Sequence, residues 1–93
     1  MQVEDILQEA VRAGKAYGAQ RMCLFGSRAK GTETEVSDID LAVSGVEDMD
    51  GLRERLADLP TLYTIDVVDL DTCRNQELLE DIRAYGREIY QKV

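Results

Sequence analysis

Apolar residues recur every three or four positions in three segments of this chain, which predicts three amphipathic helices. The first helix covers about residues 3–17, ends at Gly18 and is expected to pack on a core without chemistry of its own. The second covers about residues 48–58, and Pro60 stops it.

The third helix is predicted to end before Gly86. Asp71 or Thr72 is expected to cap its N-terminus, and its apolar stripe ends at Tyr85. Gly86 itself fits the left-handed position that closes many helices.

Alternating or β-branched residues predict four strands, at residues 20–25, 37–44, 61–70 and 87–91. Between the first two strands, residues 27–30 are expected to form a short helical turn and residues 31–36 a polar turn. This order of elements predicts an α+β fold, close to α/β, in which one small mixed sheet is backed by helices.

The composition is that of one folded domain spanning residues 1–93. A chain of this length can bury a single core but not two, and its 44% apolar and 32% charged residues argue against disorder. No apolar run is long enough for a membrane span or a signal peptide, so a cytoplasmic protein without membrane contact is expected. The net charge of −8 argues against direct non-specific nucleic-acid binding and favours a cation or a basic partner.

Histidine is absent from the chain. Its absence excludes Ser-His-Asp and Cys-His catalytic sets and histidine-ligated zinc. The two cysteines, Cys23 and Cys73, have a spacing that fits neither a CxxC motif nor a zinc site, so both are expected to be reduced structural thiols.

Asp38 and Asp40 alternate with large apolar residues in the second predicted strand. Side chains two positions apart leave a strand from the same face, about 6–7 Å apart at the backbone. Two carboxylates brought to about 4 Å repel by about 4 kcal/mol at an effective dielectric constant of about 20, which raises a pKa or demands a cation. Because Mg²⁺ typically takes one or two protein carboxylates together with phosphate oxygens, the pair predicts a metal site.

A phosphate-binding loop is predicted at Gly26 and Ser27, where the first strand ends. Glycine lets an anion approach the backbone N–H groups closely, and serine adds a hydroxyl donor. Arg28 and Lys30 place two cations beside this loop. The glycine spacings of the Walker A loop and of the dinucleotide-binding motif are both absent, so the loop belongs to neither class.

GSRAKG, followed six residues later by SDIDLAV, resembles the signature of the minimal nucleotidyltransferases of the DNA polymerase β-like superfamily. The resemblance extends over nearly the whole chain through TIDVVDL and the closing LxxxIxxxGxxIY pattern. It implies a single minimal nucleotidyltransferase domain with a polymerase β palm-like core. It also implies a third carboxylate on a neighbouring strand, for which Asp66 is the first choice and Asp69 the reserve.

The resemblance further implies transfer of a nucleoside monophosphate from ATP to an acceptor hydroxyl, with two Mg²⁺ ions and release of pyrophosphate. The implied catalytic and metal-binding residues are Asp38, Asp40 and Asp66. The implied ligands of the β- and γ-phosphates are Gly26, Ser27 and Arg28. Asp66 would also help to remove the proton of the acceptor hydroxyl, so that no histidine is needed.

Members of this size act as type VII-like antitoxins, which implies transfer of AMP to a tyrosine of a partner HEPN-domain ribonuclease toxin. The helical domain that larger members use to cover the nucleotide or bind the acceptor is expected to be missing. Two alternatives stay open at this point. One is a transferase for small molecules of the aminoglycoside type, and the other is an antitoxin that silences its partner by binding and occlusion alone.

Overall fold

In a computed structural model that describes residues 1–32, 34 and 37–93, the chain forms a four-stranded sheet with helices on both faces. Along the chain the elements are α1 (Val3–Ala16), β1 (Arg21–Phe25), α2 (Ser27–Lys30), β2 (Ile39–Ser44), α3 (Met49–Ala57), β3 (Ile65–Asp69), α4 (Gln76–Tyr85) and β4 (Arg87–Gln91). The predicted mixed α+β architecture is confirmed. The turn predicted at residues 31–36 falls partly on Glu33, Glu35 and Val36, which lie outside the described residues.

The sheet has the strand order β3-β2-β1-β4, so β3 and β4 are its edges. β1 pairs antiparallel with both β2 and β4, whereas β2 and β3 are parallel. The parallel pair requires a crossover, and α3 provides it. As a result the N-terminal ends of β2 and β3 and the C-terminal end of β1 meet at one end of the sheet.

One face of the sheet carries most of the core. Ile39, Leu41 and Val43 are fully buried there, as their alternation along β2 predicted. Helices α1 and α3 cover this face. The buried residues that they contribute are Ile6, Leu7, Ala10, Ala13, Leu52 and Leu56.

The opposite face is covered less completely. A smaller cluster of Cys23, Phe25 and Ala42 is buried beneath Ile82 of α4. Because α4 packs mainly on β1, the β2–β3 half of this face keeps room for polar side chains. Both cysteines are free thiols as predicted, and burial raises the pKa of Cys23 above its ordinary value.

The start of α4 differs from the prediction that Asp71 or Thr72 caps it. Asn75 is the cap, and its side-chain oxygen accepts a hydrogen bond from the Leu78 N–H at 3.2 Å. The carboxylate of Asp71 instead accepts a bond from the Gly45 N–H at 2.7 Å, which ties together the turns that follow β2 and β3. An aspartate engaged in this long-range contact is not available to cap a helix.

Gly86 and Tyr85 also differ from the expectation at the end of α4. Gly86 has φ −61° and ψ 140°, which is extended rather than left-handed, because β4 begins at the next residue. A glycine is still required there, since a Cβ would collide with the carbonyl oxygen of Ile82. Tyr85 does not complete the apolar stripe, and 57% of it is exposed.

The third strand is shorter than predicted at its start. Residues 61–64 precede β3, and there the Thr61 N–H bonds to the Leu59 carbonyl and the Tyr63 N–H bonds to the Thr61 hydroxyl. Local hydrogen bonds of this kind compete with the sheet ladder. In the part of the chain that the structure describes, no helix has the length and apolar character needed to cross a membrane.

Candidate active site

Asp40 and Asp66 lie side by side on neighbouring strands. They are register partners in the parallel β2–β3 pair, and Phe25 is the partner of Asp40 on β1. Asp38 stands just before β2 at the same end of the sheet. The three predicted carboxylates therefore belong to one end of the β2–β3 half-sheet.

The apolar neighbours of these aspartates determine the face on which they lie. Ile39 and Leu41 are fully buried beneath α1 and α3, so Asp40 between them must point to the opposite face. Asp66 alternates with core residues in the same way on β3. Asp40 is half-buried, whereas Asp38 and Asp66 are exposed, which leaves the site open to solvent and to a large acceptor.

The pKa of Asp40 is raised above its ordinary value of 3.8. Burial is the largest cause, followed by repulsion from Asp66 and then from Asp38. All three causes favour protonation of the isolated chain or binding of a cation in place of the proton.

This shift predicts a specific pH dependence of stability for the metal-free protein. Because the folded chain holds the Asp40 proton at pH values where the unfolded chain has lost it, the free energy of unfolding falls as pH rises from about 3.8 through the folded pKa. Asp40→Asn should remove that fall. Urea denaturation in EDTA at several pH values checks this: the stability advantage of the variant should be smallest at acid pH and grow towards neutrality, and an advantage independent of pH would contradict it.

Gly26, in the predicted phosphate-binding loop, stands directly after β1. It has φ 74° and ψ −154°, a region open only to glycine, and its carbonyl accepts the N–H groups of Ala29 and Lys30 at 3.1 Å to start α2. A Cβ at Gly26 would collide with the carboxylate of Asp40. Gly26 therefore lies directly against the side chain of Asp40.

Ser27 is the first residue of α2 and is half-buried. The first N–H groups of any helix lack partners within the helix. Ser27 and Arg28 are the first residues of α2, directly after Gly26, and their binding of phosphate stays a prediction.

The two cations predicted beside this loop have protein partners. Arg28 donates from Nε and Nη2 to the Ser37 carbonyl, and its guanidinium lies 5.0 Å from the centre of the Tyr63 ring. Lys30 pairs with Asp81 of α4 at 2.7 Å. No local pattern in the sequence indicates the contact between Arg28 and Tyr63.

Asp69 is the reserve choice for the third carboxylate. Its alternation along β3 places it on the face opposite Asp66, and its carboxylate accepts a hydrogen bond from the Asp71 N–H at 2.9 Å. The reserve choice for the third carboxylate therefore serves a turn.

The carboxylates do not form a closed metal-ligand set. Among residues 1–32, 34 and 37–93, no three acidic or thiol side chains converge closely enough to hold a metal ion together. Cavities of about 530 Å³ and 460 Å³ lie elsewhere, the first around Leu59–Tyr63 and the second between α1 and Ile89. The metal assignment of Asp38, Asp40 and Asp66 stays a prediction.

One protein-family model matches nearly the whole chain. The family model of the polymerase beta nucleotidyltransferases matches residues 4–93. The chain belongs to this nucleotidyltransferase family. Among curated proteins, none matches the chain significantly.

Solved structures with the same fold include toxin-antitoxin complexes. A crystal structure of a toxin-antitoxin with AMP-PNP superposes with a TM-score of 0.76 and 24% identity over 92% of this chain and 73% of that chain. A mutant of the toxin-antitoxin MntA-HpeT in which two aspartates are replaced by glutamate superposes with a TM-score of 0.75 and 22% identity, over 92% of this chain and 73% of that chain. A tyrosine-to-alanine mutant of MntA-HpeT superposes with a TM-score of 0.72 and 24% identity, over 91% of this chain and 72% of that chain. These likenesses establish a nucleotidyltransferase fold.

Proposed function

We propose that this nucleotidyltransferase is an antitoxin that transfers AMP from ATP to a tyrosine of a partner toxin, a HEPN-domain ribonuclease, in an Mg²⁺-dependent reaction. The observation that carries the proposal is the register pairing of Asp40 with Asp66, beside the glycine loop of Gly26 and in a chain of the nucleotidyltransferase family. Residues 1–93 would form a single minimal nucleotidyltransferase domain that performs this transfer.

The donor set fits Mg²⁺. Asp38, Asp40 and Asp66 offer only carboxylate oxygens, the ligands that this hard cation prefers, and their mutual repulsion raises the pKa of Asp40. Asp38 and Asp66 are exposed, so a cation can reach both carboxylates from solvent. Two bound Mg²⁺ ions would stabilise negative charge on the attacking and leaving oxygens of an in-line displacement.

The loop would bind the phosphates, and a carboxylate would accept the proton. The backbone N–H groups at Ser27 and Arg28 would hold the β- and γ-phosphates of ATP, while Asp66 would accept the proton of the acceptor hydroxyl. The hydroxyl oxygen forms a bond to the α-phosphorus, the bond from that phosphorus to the β-phosphate bridging oxygen breaks, and pyrophosphate leaves. Asp66 suits its role because it is exposed on the edge strand β3, where a protein acceptor can reach it.

The proposed partner and nucleotide are supported by similarity and by charge. One structure of the same fold is a toxin-antitoxin with AMP-PNP, a non-hydrolysable analogue of ATP. Another structure has two aspartates two positions apart changed to glutamate, the spacing of Asp38 and Asp40. The net charge of −8 suits a basic protein acceptor. The reaction would take place in the cytoplasm, where ATP and Mg²⁺ are available.

The decisive experiment is incubation of the protein with α-labelled ATP, Mg²⁺ and its proposed partner, a HEPN-domain toxin. Label should appear on a toxin tyrosine, ribonuclease activity should fall, and EDTA should prevent both. A folded protein that leaves the toxin unlabelled contradicts the proposal. Label on an aminoglycoside instead of on the toxin would favour a small-molecule transferase.

A matched pair of substitutions on β3 tests the third carboxylate. Asp66→Asn should lower the rate of AMP transfer by at least about 10²-fold, the lower range of the general-base contribution. Asp69→Asn makes the same chemical change three residues away on the opposite face and should leave the rate unchanged. Single-turnover labelling of the toxin measures both, and equal losses in the two variants would remove Asp66 from its proposed role.

A further inference from the structure

Two N–H donors of the Arg28 guanidinium already form hydrogen bonds with the protein backbone. Its Nε and Nη2 donate to the Ser37 carbonyl at 3.2 and 2.8 Å, and Nη2 also donates to the Thr34 carbonyl at 3.4 Å. Bidentate recognition of phosphate requires two parallel N–H donors of the guanidinium. The Nε–Nη2 pair is already directed at a backbone oxygen.

We propose that the side chain of Arg28 is a positioning group that holds Asp38 in the metal site and does not itself bind the triphosphate. This inference rests on the proposed function, because it assigns Asp38 to the metal. It narrows the expectation from the sequence that Arg28 binds the β- and γ-phosphates, because only the backbone N–H of Arg28 keeps that role.

The Ser37 carbonyl is the structural link between Arg28 and Asp38. That carbonyl belongs to the planar peptide bond that joins Ser37 to Asp38, so two hydrogen bonds to it restrain the orientation of the Asp38 backbone. Asp38 needs such a restraint because the pairing of β2 with its neighbours begins only at Ile39. Ser37 is also bound through its side chain, since its hydroxyl accepts a hydrogen bond from the Thr34 N–H at 2.8 Å.

Tyr63 provides the second restraint on Arg28. The guanidinium carbon lies 5.0 Å from the centre of the Tyr63 ring, within the range of a cation–π contact. Tyr63 stands three residues before Asp66 in the segment that leads into β3. Arg28 therefore connects the phosphate loop with the segments that carry two of the three carboxylates. Lysine cannot replace it, because an ammonium neither donates as a planar fork nor stacks flat on a ring.

Arg28→Lys distinguishes a positioning residue from a phosphate ligand, because it keeps the positive charge and loses the planar pair of N–H donors. With AMP-PNP saturating, Mn²⁺ affinity measured by electron paramagnetic resonance should fall about tenfold, the lower range for loss of a group that orients a metal ligand. AMP-PNP affinity at saturating Mn²⁺ should stay that of the parent. In turnover, kcat should fall while KM for ATP is unchanged.

Substitutions of Tyr63 provide the matched pair. Tyr63→Leu removes the aromatic face and should weaken Mn²⁺ binding in the same direction by a smaller factor, whereas Tyr63→Phe keeps the ring and should behave as the parent. Circular dichroism checks that each variant is folded, and Tyr63→Leu decides the question if Arg28→Lys does not fold.

Two results would overturn the positioning role. The first is weaker AMP-PNP binding with normal Mn²⁺ affinity in Arg28→Lys, which identifies a phosphate ligand. The second is a Tyr63→Leu variant with parental Mn²⁺ affinity. A parent protein that binds Mn²⁺ but transfers no AMP contradicts the proposed function alone, since the Mn²⁺ comparison needs no turnover.

Discussion

Replacing Asp40 with asparagine is expected to abolish AMP transfer and, at the same time, to make the metal-free protein more stable at neutral pH. Asparagine lacks the charge that holds a cation, and a loss of about 4 kcal/mol in transition-state stabilisation corresponds to about 10³-fold in rate. The same substitution removes a charge that burial, Asp66 and Asp38 all disfavour. Labelling of the toxin and thermal unfolding in EDTA measure the two effects.

The control for this prediction is Glu80→Gln, an equal change of charge on the exposed surface of α4. It should alter neither the rate nor the unfolding midpoint. A metal-free Asp40→Asn protein that is less stable than the parent would show that the carboxylate is held by favourable contacts rather than strained by its neighbours.

A double substitution of the carboxylates distinguishes neutralisation of the toxin by catalysis from neutralisation by occlusion. A chain with both Asp38→Ala and Asp40→Ala should fail to neutralise the toxin at ordinary expression levels, although it still binds. Survival of neutralisation in that variant would identify occlusion as sufficient. Copurification of the toxin with the variant shows that binding is retained.

Gly26→Ala is the second substitution with a large expected effect, on both stability and activity. The backbone at φ 74° and ψ −154° costs about 1–3 kcal/mol for a residue with a side chain. The added Cβ also displaces the carboxylate of Asp40, and misplacement of a reacting group by about 1 Å can lower a rate about 10²-fold. Chemical denaturation and single-turnover labelling are the measurements.

Gly31→Ala is the matched control for this substitution. Gly31 also has a positive φ, of 77°, but no atom lies within 4 Å of the position that a Cβ would take. The variant should lose about 1–2 kcal/mol from left-handed backbone alone and keep full activity. If Gly26→Ala is no worse than Gly31→Ala, the contact between the loop and Asp40 does not matter for the reaction.

Much of the fold was predictable because it follows from local periodicity. The alternation of Ile39, Asp40 and Leu41 determines which side chain faces the core, whatever the partner strand. Likewise, the segment Arg87–Gln91 alternates and forms β4 as predicted. The predictions that failed concern element ends, where Asp71 bonds to Gly45 across the fold instead of capping α4.

The candidate site was predictable in its residue types and only partly in its geometry. The positions of Asp38 and Asp40 relative to each other follow from a two-residue spacing on one strand. The distinction between Asp66 and Asp69 also followed from alternation, and the structure places them on opposite faces. The partners of Arg28 were not predictable, because Ser37 and Tyr63 are distant in sequence and belong to separate segments.

The sequence by itself determined the elements, the faces of the strands and the acidic chemistry, because these depend on residues a few positions apart. Only the tertiary structure decided that β2 and β3 are parallel neighbours with Asp40 beside Asp66, and that Arg28 binds the loop before Asp38. Strand order and register result from long-range packing of the whole core, in which each pairing is stabilised by helices far away in the chain. The same reason explains why a conspicuous arginine next to a phosphate loop contacts the protein itself.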